Sequence, residues 1–238
     1  MKTVKTQINC GITLSEYAGG IRFGTDSLLL ASFCPKSAKC ADLGAGSGVI
    51  GLLLLACGKA KHVTGVEISP EYARLANENA ASNGFESAYT CVNADISNIR
   101  SAFAAGECGL CVSNPPYLPA KSGIENPSGL KHAAFHETTA DIDVFCAAAS
   151  YIIKFGGSFC CVYRPEYTER LVSGARKNGM ALKRLRFVHP DIASPASLLL
   201  AEFRKGGKNG ARVMPPLIVY ADAAHTVYTD EMRGTIAL

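Results

Sequence analysis

The stretch Asn114-Pro115-Pro116-Tyr117 carries the most specific chemistry in this 238-residue chain. Asn114 offers a side-chain carbonyl and Pro115 a backbone carbonyl, two acceptors that together can hold both hydrogens of a planar NH2 group. Consecutive prolines fix φ and remove backbone donors, and a residue before proline is pushed into extended geometry. The acceptors therefore sit on a stiff loop. Tyr117 supplies a flat face for stacking, a contact worth about 1–3 kcal/mol for a nucleobase. An amino group conjugated to a ring or carbonyl is a poor nucleophile. Holding its hydrogens aims its lone pair at an electrophilic carbon, which makes an in-line group transfer feasible. Neither acceptor is a strong base, so the proton leaves late.

A second set of residues lies upstream. Asp42-Leu-Gly-Ala-Gly-Ser-Gly48 follows an apolar run, and its glycines let backbone approach a ligand closely. Two registers fit. Gly46, Gly48 and Gly51 match the dinucleotide fingerprint GxGxxG. Gly44, Gly46 and Gly48 match the GxGxG loop that S-adenosylmethionine enzymes carry after an acidic residue. The second register begins where the apolar run ends and gives Asp42 a task, since a carboxylate there suits a cationic amino group better than a pyrophosphate. Glu67 lies about 20 residues further on, where a carboxylate can accept from ribose hydroxyls. Asp95 is placed to accept from an exocyclic adenine amine. Each alone reads as a surface acid; three at the ends of consecutive strands read as a site.

The elements that must position these residues alternate. Strands are expected at 39–44, 62–68, 88–94, 109–114, 158–163, 182–190 and 196–205. Helices are expected at 48–58, 69–84, 97–105, 141–157 and 165–178. Ser69 is the N-cap of the second of these, with Pro70 at its first turn and Gly84 as terminator. Alternation of this kind implies a mostly parallel sheet covered on both faces, binding ligands beyond the carboxyl ends of its strands. The expected fold is α/β and Rossmann-like, with seven strands, the last pair antiparallel. An N-terminal extension over 1–38 precedes a catalytic core over 39–205 and a tail over 206–238. In the extension, 12–24 reads as a hairpin turning at Gly19-Gly20, followed by a helix capped by Thr25 or Asp26.

Composition bounds the rest. A 48% apolar and 18% charged chain is an ordinary globular one. No apolar run reaches membrane-spanning length, and the first residues show no secretory pattern, so a cytoplasmic protein is expected. Ten cysteines, mostly in apolar surroundings, read as reduced and buried. Cys108 and Cys111 form a lone CxxC without a second pair, so no metal is expected, since structural zinc normally needs four ligands. Charge is uneven: residues 154–213 hold 12 Lys and Arg against 4 Asp and Glu. That bias reads either as a solvated surface or as a site for an acidic polymer.

Taken together, the motifs resemble those of class I S-adenosylmethionine-dependent methyltransferases of the amino-methylating NPPY group. Within that group they are similar to the bacterial tRNA1(Val) adenine-37 N6-methyltransferases. The resemblance runs from 19–33 through 42–56, 66–69, 93–95 and 114–117 to the more selective ending at 182–190, 202–208, 215–220 and 228–232. It implies S-adenosylmethionine as cofactor, held by Phe23, Thr25, Asp26, Asp42, Gly44, Ala45, Gly46, Gly48, Glu67, Ile68, Asp95, Ile96 and Asn114. It implies Asn114, Pro115, Pro116 and Tyr117 as the catalytic set, with Asp26 helping to close the site. It implies tRNA as partner, met by Lys183, Arg184, Arg186, Arg204, Lys205 and Lys208, with methylation at the N6 amine of an adenine beside the anticodon. Phe135-His136-Glu137 departs from the family's arginine-histidine-glutamate, which weakens a phosphate-binding role there. A protein glutamine N5-methyltransferase uses the same chemistry on a side-chain amide, but normally carries a helical domain where this chain has about 40 residues. A DNA adenine methyltransferase, which would usually need a further target-recognition region, a non-catalytic RNA-binding module and a dehydrogenase are the further alternatives.

Overall fold

The computed structural model describes residues 2–20, 23–116 and 141–236. Strand β1 (Thr3–Ile8) pairs antiparallel with β2 (Ile12–Tyr17) in a separate hairpin. Helix α1 (Thr25–Phe33) leads into the main sheet, which contains β3 (Ser37–Leu43), β4 (Ala60–Glu67), β5 (Tyr89–Asn93), β6 (Cys108–Ser113), β7 (Ile153–Tyr163), β8 (Met180–His189) and β9 (Leu198–Lys205). Their order is β5-β4-β3-β6-β7-β9-β8; β9 alone runs against its neighbours. Two short strands, β10 (Arg212–Val213) and β11 (Leu217–Ile218), extend the seven to nine by pairing parallel with β8. Between strands lie α2 (Val49–Ala56), α3 (Pro70–Ser82), α4 (Ile142–Ile152) and α5 (Thr168–Lys177), and α6 (Asp230–Ile236) closes the tail by packing on α1.

Alternation along the strands builds two cores. Cys40, Leu110, Val112, Cys160 and Val162 face one way, toward α1, α2 and α3. Ala41, Leu43, Cys111, Phe159 and Cys161 face the other, toward α4 and α5. Side chains of successive strand residues point to opposite faces, so an apolar run with this pairing is buried on both. Among the described residues no helix is long and apolar enough to cross a membrane.

Three elements differ from expectation. The N-terminal hairpin turns at Asn9–Gly11, where Cys10 (φ 78°) and Gly11 (φ 73°) are both left-handed, and not at Gly19-Gly20. Gly20 answers to sterics instead: a Cβ there would stand 2.6 Å from the Tyr72 hydroxyl. The helix expected over 141–157 stops at Ile152, because Ile153 pairs with Cys108 and starts β7; the ladder then slips so that Leu110 faces Ser158, and Gly156 takes up the irregularity at φ 75°. The segment expected as a helix over 97–105 is a 3-10 turn (Ile96–Ser101), capped by Asp95, whose Oδ1 accepts from Ser97 N at 2.7 Å.

Candidate active site

Pairing brings the expected residues to one rim. Leu43 is opposite Ser113 and Val66, and Glu67 is opposite Asn93. The chain after Leu43 (Gly44), the chain after Ser113 (Asn114) and Glu67 therefore leave adjacent strands side by side, at spacings of about 4.8 Å. Ser113 adds a buried tie, its hydroxyl donating to Leu43 O at 2.8 Å. Neither Ser113 nor the buried Asn79 stands out in the sequence as a site residue. Asn79 Nδ2 donates to Ser47 O at 2.9 Å and to Ser15 O at 3.1 Å, so it joins the glycine loop to the N-terminal hairpin. Spacing of Asn79 and Asn83 on one helix face is the signal that could have found that joint; Asn83 likewise bonds Thr13.

At the heart of the rim, Asn114 Nδ2 donates to Asp26 Oδ2 at 2.8 Å, across 88 residues. A carboxylate accepts and cannot donate, so this bond defines which end of the amide is the carbonyl. Asp26 sits in the first turn of α1 and also accepts from Ser27 N at 2.8 Å through Oδ1. The helix N-cap is Gly24, with no side-chain cap bond, so neither Thr25 nor Asp26 caps α1; Asp26 reaches the asparagine instead. Leading into this turn, Phe23 N donates to the buried carboxylate of Glu16 at 2.7 Å. Pro115 and Pro116 follow Asn114 on the rim, whereas Tyr117 and Phe135-His136-Glu137 lie outside the described residues.

The glycine loop resolves the two registers. Gly44, Gly46 and Gly48 have φ of 71°, 54° and 85°, a conformation that L side chains rarely adopt. Gly44 N and Ala45 N both donate to Val66 O, at 2.9 and 3.0 Å, seating the loop on β4. Gly51 is an ordinary helical glycine, and its reason is steric: a Cβ there would meet the Tyr89 ring at 2.6 Å and Val63 at 2.9 Å. The GxGxxG match thus arises from packing on Tyr89. The alternating left-handed glycines, one of them (Gly46) with no described atom within 4 Å of where a Cβ would be, fit a loop that lays backbone against a ligand.

Two of the acids, Asp42 and Glu67, have backbone partners within the fold. Asp42 is fully buried; its Oδ2 accepts from Gly51 N at 3.1 Å, capping the first turn of α2 from the neighbouring strand. Among the described residues its Oδ1 has no hydrogen-bond partner. Desolvation lifts the Asp42 carboxyl to about 7, against the lowering effect of the Gly51 N–H. This folded value lies above the unfolded one, so its contribution to stability is present at low pH and is lost as pH rises through about 7. Asp42→Asn, which keeps an acceptor for Gly51, should remove about 2–3 kcal/mol of stability loss between pH 5 and pH 8. Urea unfolding of both proteins at the two pH values checks this; equal slopes would contradict it.

Glu67 holds the loop as well as lining it. Its Oε2 accepts from Gly46 N at 2.9 Å and its Oε1 from Ser69 N at 3.0 Å. Burial raises its pKa, and the backbone donors oppose that shift. Each carboxylate oxygen has a further lone pair, so a ribose hydroxyl can still be met. Asn93 Nδ2 braces the same corner by donating to Glu67 O and Ile68 O. Ile68 is half-buried, Ile96 is buried and Asp95 is exposed.

The six basic residues are not brought together at this rim. Arg204 is level with Ser158, midway along β7, and Lys205 with Met180, at the amino end of β8. Lys205 Nζ donates to Ser150 O at 2.6 Å and Ile153 O at 3.0 Å, closing the end of α4. Lys183 Nζ donates to Lys208 O and Gly210 O, at 3.2 and 2.7 Å. Arg184 pairs with the buried Glu202, donates to Phe33 O and lies over the Phe33 ring at 4.3 Å. Arg186 bonds Pro215 O and Glu231, and Lys208 is exposed. Charge was legible in the sequence, but the carbonyls and carboxylates that claim Lys183, Arg184, Arg186 and Lys205 come from distant segments, whereas Arg204 and Lys208 are exposed. Lys205→Ala should cost about 1–3 kcal/mol of stability, from two charge-assisted bonds, and leave RNA affinity unchanged. Denaturation beside a filter-binding salt series checks this; weaker RNA binding with unchanged stability would contradict it.

Cys108 and Cys111 lie buried in β6.

A model of the methyltransferase small domain matches residues 18–167. The chain is 27% identical over 192 residues to a tRNA1(Val) (adenine(37)-N6)-methyltransferase of Dickeya chrysanthemi, covering 79% of this chain and 75% of that one. An enzyme of the same name from Porphyromonas gingivalis is 29% identical over 192 residues, covering 77% and 74%. One from Serratia proteamaculans is 26% identical over 219 residues, covering 91% and 82%. Among solved structures, a predicted O-methyltransferase of Agrobacterium tumefaciens superposes with a TM-score of 0.71 at 22% identity, over 89% of this chain and 95% of that one. At that identity the likeness concerns the fold, which is that of the class I methyltransferases.

Proposed function

Because the chain belongs to the methyltransferase small domain family, we propose that it methylates the N6 amine of adenine 37 in tRNA1(Val), or of an adenine in the equivalent place beside an anticodon, in the cytoplasm. Methyl transfer from S-adenosylmethionine is its activity; the cofactor, when bound, supplies an electrophilic methyl on a sulfonium. Gly44, Ala45, Gly46 and Gly48 would lay backbone against it. Glu67 and Ile68 would meet its ribose side, and Asp95 and Ile96 its adenine. Asp42 would act through helix α2, whose first turn it caps behind the loop.

The observation that carries the reading is the Asp26–Asn114 hydrogen bond at 2.8 Å. An asparagine amide held at its NH2 end by a carboxylate presents its carbonyl as an acceptor. With Pro115 O it can take both hydrogens of a planar amine, which leaves the lone pair of that amine to attack. No side chain of this pair is a base strong enough to deprotonate the amine first, so the proton is shed after the new bond forms. Asp26 is a positioning residue: it acts through Asn114. A target base in a folded anticodon loop has to be turned out of its stack, at a cost of about a few kcal/mol, and Tyr117 is proposed as the ring that receives it. Adenine in tRNA, rather than another planar amine, is favoured by the tRNA enzymes to which the chain is similar along three quarters or more of its length.

Incubating the protein with methyl-labelled S-adenosylmethionine and either unmodified tRNA or a bacterial release factor tests the substrate class. Label in RNA is expected. Label in a glutamine of the release factor, with inert tRNA, would replace this reading by the glutamine N5-methyltransferase one.

A further inference from the structure

Of the ten cysteines eight are buried, and the two that solvent reaches, Cys10 and Cys57, stand with their sulfurs 3.5 Å apart across 47 residues. Cys10 is left-handed in the β1–β2 turn, as is Gly11 after it, a conformation uncommon for a side-chain-bearing residue. Cys57 is the C-cap of α2, its N–H donating to Leu53 O at 2.9 Å. We propose that Cys10 and Cys57 form a reversible disulfide that locks the N-terminal hairpin onto the end of α2.

Closing the bond takes the sulfurs from 3.5 Å to about 2.05 Å, a movement within reach of two half-exposed side chains. With a peroxide as oxidant the step balances. One thiol sulfur, as thiolate, attacks a peroxide oxygen, the O–O bond breaks and a water leaves, giving a sulfenic acid. The second sulfur then displaces the sulfenic oxygen as a second water. The two thiols lose two electrons and two protons, and hydrogen peroxide becomes two waters. The eight other thiols sit inside the two cores, away from oxidant. Burial and the neighbouring Cys57 push the Cys10 thiol up to about 11, so thiolate is scarce at neutral pH and the pair closes under sustained oxidant.

What the lock would hold is the hairpin that leads to the rim. Its backbone at Thr13 and Ser15 is bonded by Asn83 and Asn79 of α3 and its neighbour. Its Glu16 receives Phe23 N, three residues before Asp26. The site is independent of which substrate is methylated, and its test needs no activity assay.

The native protein is treated with hydrogen peroxide, digested without reduction and mapped by mass spectrometry, with thiols counted before and after. A Cys10–Cys57 crosslink is expected as the dominant product, with two thiols lost, both restored by dithiothreitol, and Tm raised by about 5 °C. Cys10→Ser and Cys57→Ser should each abolish the crosslink and the shift. A crosslink through other cysteines, over-oxidation of Cys10 without a crosslink, or a Cys10–Cys57 bond that leaves Tm unmoved would overturn the proposal.

Discussion

Asn114→Ala should lower kcat by about 10²- to 10³-fold, the loss seen when one preorganised hydrogen-bonding group is removed from a reacting centre, while S-adenosylmethionine affinity stays near wild type. The asparagine acts on the amine being methylated, so its removal costs the transition state more than it costs donor binding. Asp26→Ala should fall in the same direction by about tenfold, because it removes the charge-assisted bond that orients the amide and leaves the amide itself. Asp26→Asn retains an acceptor and should recover part of that loss. Single-turnover rates alongside calorimetric donor binding separate the two effects. A large loss of donor affinity with an unchanged single-turnover rate would assign Asn114 to the donor rather than to the amine.

Gly51→Ala should destabilise the protein, against the direction that helix propensity alone dictates. Alanine in a helix interior is favoured over glycine by about 1 kcal/mol, and Gly51 lies within α2. A Cβ there would nonetheless stand 2.6 Å from the Tyr89 ring and 2.9 Å from Val63, both buried. Overpacking of this kind costs about 1–3 kcal/mol or more, and Tm should drop by about 5 °C. The contact is with a ring carbon, so Tyr89→Phe should not rescue it, whereas Tyr89→Leu should. Gly65→Ala makes the complementary case: its Cβ would meet the buried Tyr89 hydroxyl at 2.7 Å. Tyr89→Phe should relieve Gly65→Ala substantially. Opposite rescue patterns would mean that Tyr89 does not set these glycines.

The same residues show what the sequence could and could not disclose. The alternation of strands and helices, and the glycine loop at the end of β3, were legible because they follow local periodicity and conformational need. Gly44, Gly46 and Gly48 turned out left-handed, as a loop of that register requires. Gly51 was ambiguous because sterics against Tyr89, 38 residues away, cannot be read from a local pattern. Asp42 was legible as an acid and not as a helix cap, since its direction depends on how β3 packs beneath α2. The partners of Lys205 were hidden for the same reason: the carbonyls at the end of α4 that hold it belong to another segment. Asp26 was legible as a helix-start residue and, through the resemblance, as one that helps close the site; its bond to Asn114 is visible only in the fold.

Position-resolved mass spectrometry of the product is the most direct test of the central claim. Unmodified tRNA1(Val) is incubated with the protein and S-adenosylmethionine, digested with a base-specific ribonuclease and sequenced as fragments. The account predicts one added methyl, on the fragment carrying adenine 37, recovered as N6-methyladenosine and absent with Asn114→Ala. A methyl on another atom or another nucleoside, or full product from the Asn114→Ala protein, would contradict it.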